Sequence, residues 1–372
     1  MRYHVAAVSL ALTVGVILTL GRSIGVSGGT LVERLLEAML AKQWVTAFLE
    51  STRPKEIPAR DDLLVAKVGG QERVIYRARA DDLVIAGPIV SPDGTKLAFV
   101  KIDRIAGPED KPYYTAEESH KRIYTMNVDG SDLRAWVELT SLRHAFKRLH
   151  GGISPLAWSH DNRKIAFEGT RKKDVPVPPL REQSSVWGPT SLMLLDLDSG
   201  QTTVLLPQVG RRVEGSGKWG PIITPQAWAP DSRRLVHMND EGDVIILDTA
   251  TGAEKNLGPG KNPTWSPDGR FIALQVHGDR KSKGDGDYFL APVEPPHDRI
   301  LLLSNTRRLS FGGFSFGGLG YSGPAVWFPD NRFLVVWHYP GERGFPYVLD
   351  RTTGEIGQLP PRLWGWSWGG KP

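Results

Sequence analysis

An all-β fold is the class this sequence predicts: a six-bladed β-propeller of four-stranded antiparallel blades. The first observation behind it is a phrase that recurs five times. It reads Ser91-Pro92-Asp93-Gly94, Ser159-His160-Asp161-Asn162, Ala229-Pro230-Asp231-Ser232, Ser266-Pro267-Asp268-Gly269 and Phe328-Pro329-Asp330-Asn331. Trp158, Trp228, Trp265 and Trp327 stand immediately before four of the copies, and a basic residue and an apolar run follow each. Such recurrence marks an array whose units bury their apolar faces against one another. The second observation is a second hairpin in most units, with turns at 127–130, 196–200, 248–252 and 350–354. Two hairpins make four antiparallel strands, the content of a propeller blade. The third is that the two ends of the chain hold complementary parts of one further unit.

Taken in order, the chain opens with Met1-Arg2-Tyr3-His4 and an uncharged run from Val5 to Gly21, ended by Arg22. A basic start before an apolar stretch is an export signal, and residues 1–29 are expected to be a signal peptide or a membrane anchor. Thr30 and Glu33 then fit a capping box, and Leu31, Leu35, Met39, Trp44 and Phe48 recur at helical spacing. They predict one amphipathic helix to about Leu49, packed under the propeller, laid on the membrane or self-associated. Ser51 to Asp61 reads as a linker, so residues 30–61 are helix and linker and 62–372 the propeller.

Within the propeller, Pro presets φ at the second position of the phrase, and Asp, Asn or Gly tolerate the tight conformations after it. The flanks are rich in aromatic and β-branched residues, as strands require. Spacing between the turn aspartates is uneven. Asp231 to Asp268 matches a minimal blade, while the other steps exceed the roughly 40–45 residues of one repeat. The surplus is expected as surface insertions at 103–122, 173–191, 277–296 and 311–323. Residues 63–68 and 73–77 read as later strands, and 365–370 as the opening strand, of a blade that pairs both ends of the chain and closes the ring. That makes six blades, or seven should an insertion hold a degenerate unit.

Composition narrows function by exclusion. The chain has 372 residues, 46 basic against 41 acidic, and a net charge of +5. Its basic clusters, Arg171-Lys172-Lys173, Arg211-Arg212 and Arg307-Arg308, are scattered and lack interleaved aromatics, which argues against nucleic acid. There is no cysteine, so disulfides, thiol catalysis and thiolate metal sites are excluded together.

A search for chemistry returns little. Gly313-Phe314-Ser315-Phe316-Gly317 matches the nucleophile-elbow string, which works only between a strand and a helix of an α/β sheet; here it lies in a Gly/Phe-rich loop. No histidine has metal-ligand spacing. Asp279, Asp285 and Asp287 lack the spacing of a calcium loop. No catalytic residue, cofactor or metal is expected. Polar residues on the strands after the repeat turn, Glu168, His237, Gln275 and His338, are the candidates for a channel lining, with interblade hydrogen bonding as the alternative.

The residues carry a family likeness. Pro263-Thr264-Trp265-Ser266-Pro267-Asp268-Gly269, Gln226-Ala227-Trp228-Ala229-Pro230-Asp231 and the hairpin from Ile123 to Gly130 resemble the WD-like repeats of TolB-type bacterial propellers. The likeness covers about 62–370 and implies a six-bladed ring serving as a protein-binding platform, often in the bacterial envelope. Similar repeats also form the gating propeller of prolyl-oligopeptidase-like enzymes, whose hydrolase domain has no counterpart here. The N-terminal α/β domain of TolB is replaced by residues 1–61. The resulting expectation is a monomeric, extracytoplasmic, membrane-anchored or secreted propeller that binds a protein or peptide. The alternative is a small-ligand-binding or hydrolytic propeller with its site in the central channel.

Overall fold

The structure is a computed structural model. It describes residues 30–51, 62–68, 71–77, 83–102, 121–141, 156–171, 190–209, 223–239, 241–276, 287–295, 298–303, 324–338, 345–359 and 368–370. The apolar segment 1–29, the Gly313–Gly317 string, Asp279 and Asp285 lie outside the described residues. One helix, α1 (Leu31–Lys42), precedes the strands β1 (Val45–Ser51), β2 (Asp62–Val68) and β3 (Gln71–Arg77). Blade 1 is β4 (Leu83–Val90), β5 (Lys96–Ile102), β6 (Lys121–Asn127) and β7 (Arg134–Ser141). Blade 2 is β8 (Leu156–Trp158), β9 (Lys164–Arg171), β10 (Thr190–Asp196) and β11 (Thr202–Val209). In blade 3 a bridge from Trp228 to Leu235 stands for the first strand, followed by β12 (Arg234–Met238), β13 (Asp243–Asp248) and β14 (Glu254–Pro259). Blade 4 is β15 (Lys261–Trp265), β16 (Phe271–Val276), β17 (Asp287–Pro292) and β18 (Ile300–Leu303). Blade 5 is β19 (Val326–Trp327), β20 (Phe333–His338), β21 (Phe345–Asp350) and β22 (Ile356–Gln358). The sixth blade has the order β23 (Trp368–Gly369), β1, β2, β3, so the two ends of the chain share a sheet and the ring has six blades. Among the described residues no helix is long and apolar enough to cross a membrane.

The repeated phrase forms the turn between the first and second strand of blades 1 to 5. In blade 1, Ser91 Oγ accepts from the Lys96 amide at 2.9 Å and donates to Asp93 Oδ1 at 2.6 Å. Asp93 Oδ1 also accepts from the Thr95 amide, which closes the turn on its own side chains. The fourth residue of every copy has positive φ: Gly94, Asn162, Ser232, Gly269 and Asn331. That explains why Gly and Asn recur there. Ser232 bears the strain without such a side chain, and its hydroxyl accepts from the Asp161 amide of the preceding blade's turn at 2.8 Å. Asn331 likewise donates to Asp268 at 2.6 Å. These bonds tie the turn of blade 2 to that of blade 3, and the turn of blade 4 to that of blade 5.

Side chains alternate between the two faces of each blade, and the buried clusters show which neighbour each face meets. Ala98 and Val100 of blade 1 pack on Trp158, Ile165 and Phe167 of blade 2. Ala273 of blade 4 packs on Trp327, Leu334 and Val336 of blade 5. In blades 2 to 5 the tryptophan before the turn therefore seals its blade against the one before it. Trp228 adds a hydrogen bond from Nε1 to the Ala157 carbonyl of blade 2, at 3.1 Å.

The N-terminal helix is shorter than its sequence pattern implies. The capping box forms, with Thr30 N–H donating to Glu33 at 2.7 Å, but Gln43 turns into the left-handed region and ends the helix at Lys42. Residues 45–51, expected as helix and linker, form β1, paired with β2 along its whole length. Val45, Thr46 and Ala47 are buried on both faces, and a strand covered on both sides has no period-two signature to separate it from a helix. A second correction falls in the expected insertion 277–296, where Asp287–Pro292 is β17 and supplies the third strand of blade 4.

Candidate functional site

Antiparallel order divides the connections between two faces of the ring. Turns from first to second strand and from third to fourth leave at one end; those from second to third, and from each blade to the next, leave at the other. The first set is short wherever the structure describes it, and we call that side the short-turn face. The other is the insertion face, because the strand ends on either side of 103–120, 142–155, 172–189, 210–222, 277–286 and 304–323 all open onto it. Blade 3 differs, with only Asn239–Gly242 and the step at Gly260 on that face.

The short-turn face is chemically closed. An arginine two residues after the turn aspartate reaches the hairpin aspartate of its own blade: Arg233 to Asp248 at 2.6 Å, Arg332 to Asp350 at 2.7 Å, and Arg163 to Asp198. A hydrogen bond from the Thr251 backbone, with others nearby, holds Asp248 below the usual carboxylate range. The phrase is thus a turn and packing device, and its aspartates are engaged by their own loops and, for Asp268, by Asn331 of the next blade's turn.

Of the candidate channel residues whose side chains are described, Glu168 and His237 share one interface between blades and Gln275 lies in another. Glu168 and His237 lie on the second strands of blades 2 and 3, and alternation turns both into the interface between those blades. Glu168 Oε1 accepts from the Ile223 amide of the segment entering blade 3, at 2.7 Å, an interblade hydrogen bond. Gln275 lies on the second strand of blade 4 and faces blade 5; its Oε1 accepts from Asn262 at 2.8 Å. His338 ends β20, and its side chain lies outside the described residues. The centre holds a residue absent from the candidates. The Gln226 carboxamide accepts from the Trp327 amide at 2.7 Å and donates to the Trp327 carbonyl at 2.8 Å, joining the inner strands of blades 3 and 5. Its own carbonyl accepts from the Trp265 amide of blade 4. Gln226 precedes the repeat phrase by three residues, and nothing in its local sequence marks a role across three blades. Among the described residues no group of three or more His, Asp or Glu could hold a metal ion.

His237 sits where the other blades have Phe99, Phe167, Leu274 and Val336. It is 3% exposed, and neither ring nitrogen has a hydrogen-bond partner among the described residues. Burial drives its pKa down to about 4, only partly offset by the Met238 backbone. The folded protein thus holds a neutral imidazole that the unfolded chain would protonate near pH 6.5. The unfolded state binds more protons between those values, so this stability is present above pH 6.5 and lost as pH falls toward 4, by on the order of 3 kcal/mol. His237→Leu is expected to flatten that dependence and to leave stability at pH 7 equal or higher. Urea unfolding at pH 7 and 4.5 measures it, and an unchanged slope in the variant would assign the effect elsewhere. Asp196, Asp231, Asp248 and Asp268 have lowered pKa values, so their contributions fade below 3.8, outside this window.

No protein-family model matches the chain, and no curated protein matches it. Among solved structures the chain is similar to TolB from Acinetobacter baumannii, with a TM-score of 0.54 and 16% identity over 92% of this chain and 71% of that one. It is also similar to putative TolB from Agrobacterium tumefaciens, with a TM-score of 0.46 and 14% identity over 77% and 83% of the two chains. Oligogalacturonate lyase from Vibrio parahaemolyticus has a TM-score of 0.49 and 13% identity over 81% and 73%. The first of these agrees with the TolB-type propeller that the repeats resemble. At such identity the likeness is one of fold.

Proposed function

We propose that this chain is a non-catalytic, extracytoplasmic propeller that binds a protein or peptide through its insertion face. The observation that carries the reading is the contrast between the two faces. One is closed by self-paired turns, and the other receives nearly all of the chain's surplus length, where binding residues concentrate in loop-bearing scaffolds.

The helix α1 supports an orientation. Arg34 pairs with Glu355 in the outer hairpin turn of blade 5, and the Lys42 charge acts on Asp330 in its inner turn. The helix therefore lies along the short-turn side, and so does its N-cap residue, Thr30. With residues 1–29 as an anchor, the insertion face is turned away from the point of attachment, toward partners. No charge or aromatic pattern in the sequence favours nucleic acid.

Photo-crosslinking side chains at Glu241 and Lys261, exposed on the insertion face, and at Ser199 and Thr251, exposed on the short-turn face, test the proposal in cells. Protein adducts are expected from the first pair only. Adducts from the second pair alone would reverse the assignment of faces. Adducts from neither, with a small molecule retained in the native mass spectrum, would move the site into the channel.

A further inference from the structure

We propose that the interface between blades 4 and 5 holds a carboxylate-binding site, reached from the insertion face and read by Gln275, Thr264 and Lys261. The proposal rests on the reading of the insertion face as the binding face. Thr264 lies opposite Ala273 in the β15–β16 register, and Gln275 follows two residues later on β16. All three share one side of blade 4, and Ala273 shows which: it packs on Ala325, Trp327 and Val336 of blade 5. Diagonal neighbours of this kind stand within roughly 8 Å of one another.

The donor inventory identifies the group. Gln275 Oε1 is taken by Asn262 Nδ2 at 2.8 Å, which fixes the carboxamide and leaves Nε2 as the free end. Gln275 Nε2 and Thr264 Oγ1 have no hydrogen-bond partner among the described residues, and both side chains are 1% exposed. Buried polar atoms are rarely left so. In the corresponding place on blade 2, Glu168 Oε1 holds the Ile223 amide, and Gln226 holds both the amide and the carbonyl of Trp327. Lys261, the register partner of Gln275, is exposed and adds an ammonium at the solvent end. Described residues facing from blade 5, namely Ala325, Trp327, Leu334 and Val336, bring no acid. An amide N–H, a hydroxyl and an ammonium suit a planar acceptor with delocalised negative charge. That is a carboxylate, from a free small acid or from a peptide terminus.

The test titrates the full chain in detergent with acetate, with N-acetyl-triglycine and with the C-terminal amide of that peptide. It follows the Gln275 side-chain NH2 resonances, assigned by their absence in Gln275→Met. Acetate or the acid peptide is expected to shift them and the amide to leave them unmoved. Thr264→Val and Lys261→Gln are each expected to weaken the response about tenfold without lowering the melting temperature. A response to both acids describes a site for free carboxylates, and one to the peptide alone a site for chain termini. Equal responses to acid and amide, no response to any probe, or a response intact in both variants overturns the proposal. Partner crosslinks at Lys261 without a carboxylate response would leave the binding face standing and remove this site alone.

Discussion

A chain shortened to begin at Thr52 is expected not to close its ring, whereas one that begins at Thr30 should melt as a single cooperative unit. The shorter fragment keeps every copy of the repeated phrase and yet lacks β1, which pairs with β2 from Val45↔Val68 to Ser51↔Asp62 and with β23 on its other edge. Without β1 the sixth blade is divided into an outer hairpin and a two-residue strand with nothing between them. The fragment also loses α1. Leu31, Leu35 and Met39 of that helix and Trp44 after it pack with Phe328, Phe333 and Val335 of blade 5 and Trp368 of blade 6. Each such side chain contributes about 1.5–3 kcal/mol of burial. The sum rivals the roughly 5–15 kcal/mol that typically separates a folded domain from its unfolded chain. Size-exclusion chromatography and thermal melting of the two fragments decide it. Equal melting would mean that β1 and α1 rest on a ring already closed.

The same region shows where the sequence was legible and where it was not. The phrase around Asp93, Asp161, Asp231, Asp268 and Asp330 reveals blades because turn chemistry is local: a serine, an aspartate and a residue able to adopt positive φ act within a few positions. Thr30 and Glu33 mark the helix start for the same reason. The strand from Val45 to Ser51 is opaque because its two faces are covered by different neighbours, so its apolar residues follow no single period. β17 is hidden in what reads as an insertion because blade 4 lacks the Asp-rich hairpin turn that marks the third strand in blades 2, 3 and 5.

The candidate residues illustrate a similar limit. Glu168, His237 and Gln275 stand out in sequence as polar residues on apolar strands, and all three are buried. A strand second from the axis turns its side chains toward neighbouring blades, so conspicuous polarity there reports on interfaces. Gln226 reaches the middle of the ring from the turn before the Trp228 bridge of blade 3, and its partner Trp327 lies 101 residues away. Only the closed ring brings the two together.

Gly369→Ala is expected to destabilise the protein by about 3 kcal/mol, since overpacking against rigid atoms reaches that range. A Cβ on Gly369 would stand 2.1 Å from the Ser91 carbonyl oxygen and 2.7 Å from the Val90 side chain. The near obstacle is backbone, held by the Lys96 and Gly94 hydrogen bonds of the blade 1 turn, so it cannot swing aside. The closing strand would have to move instead. That would loosen Trp368 from Phe328, whose ring centroid is 4.5 Å away, and break the bond from the Gly370 amide to the Pro92 carbonyl. Gly252→Ala is the matched control. It lies in a hairpin turn at φ +72° with nothing within 4 Å of its added Cβ. The left-handed strain alone should cost about 1 kcal/mol there. Urea unfolding of both variants measures the difference. A larger loss at Gly369 means that ring closure depends on the fit of a two-residue strand against the first blade; equal losses would mean that closure tolerates displacement of that strand and is carried by β1 and α1.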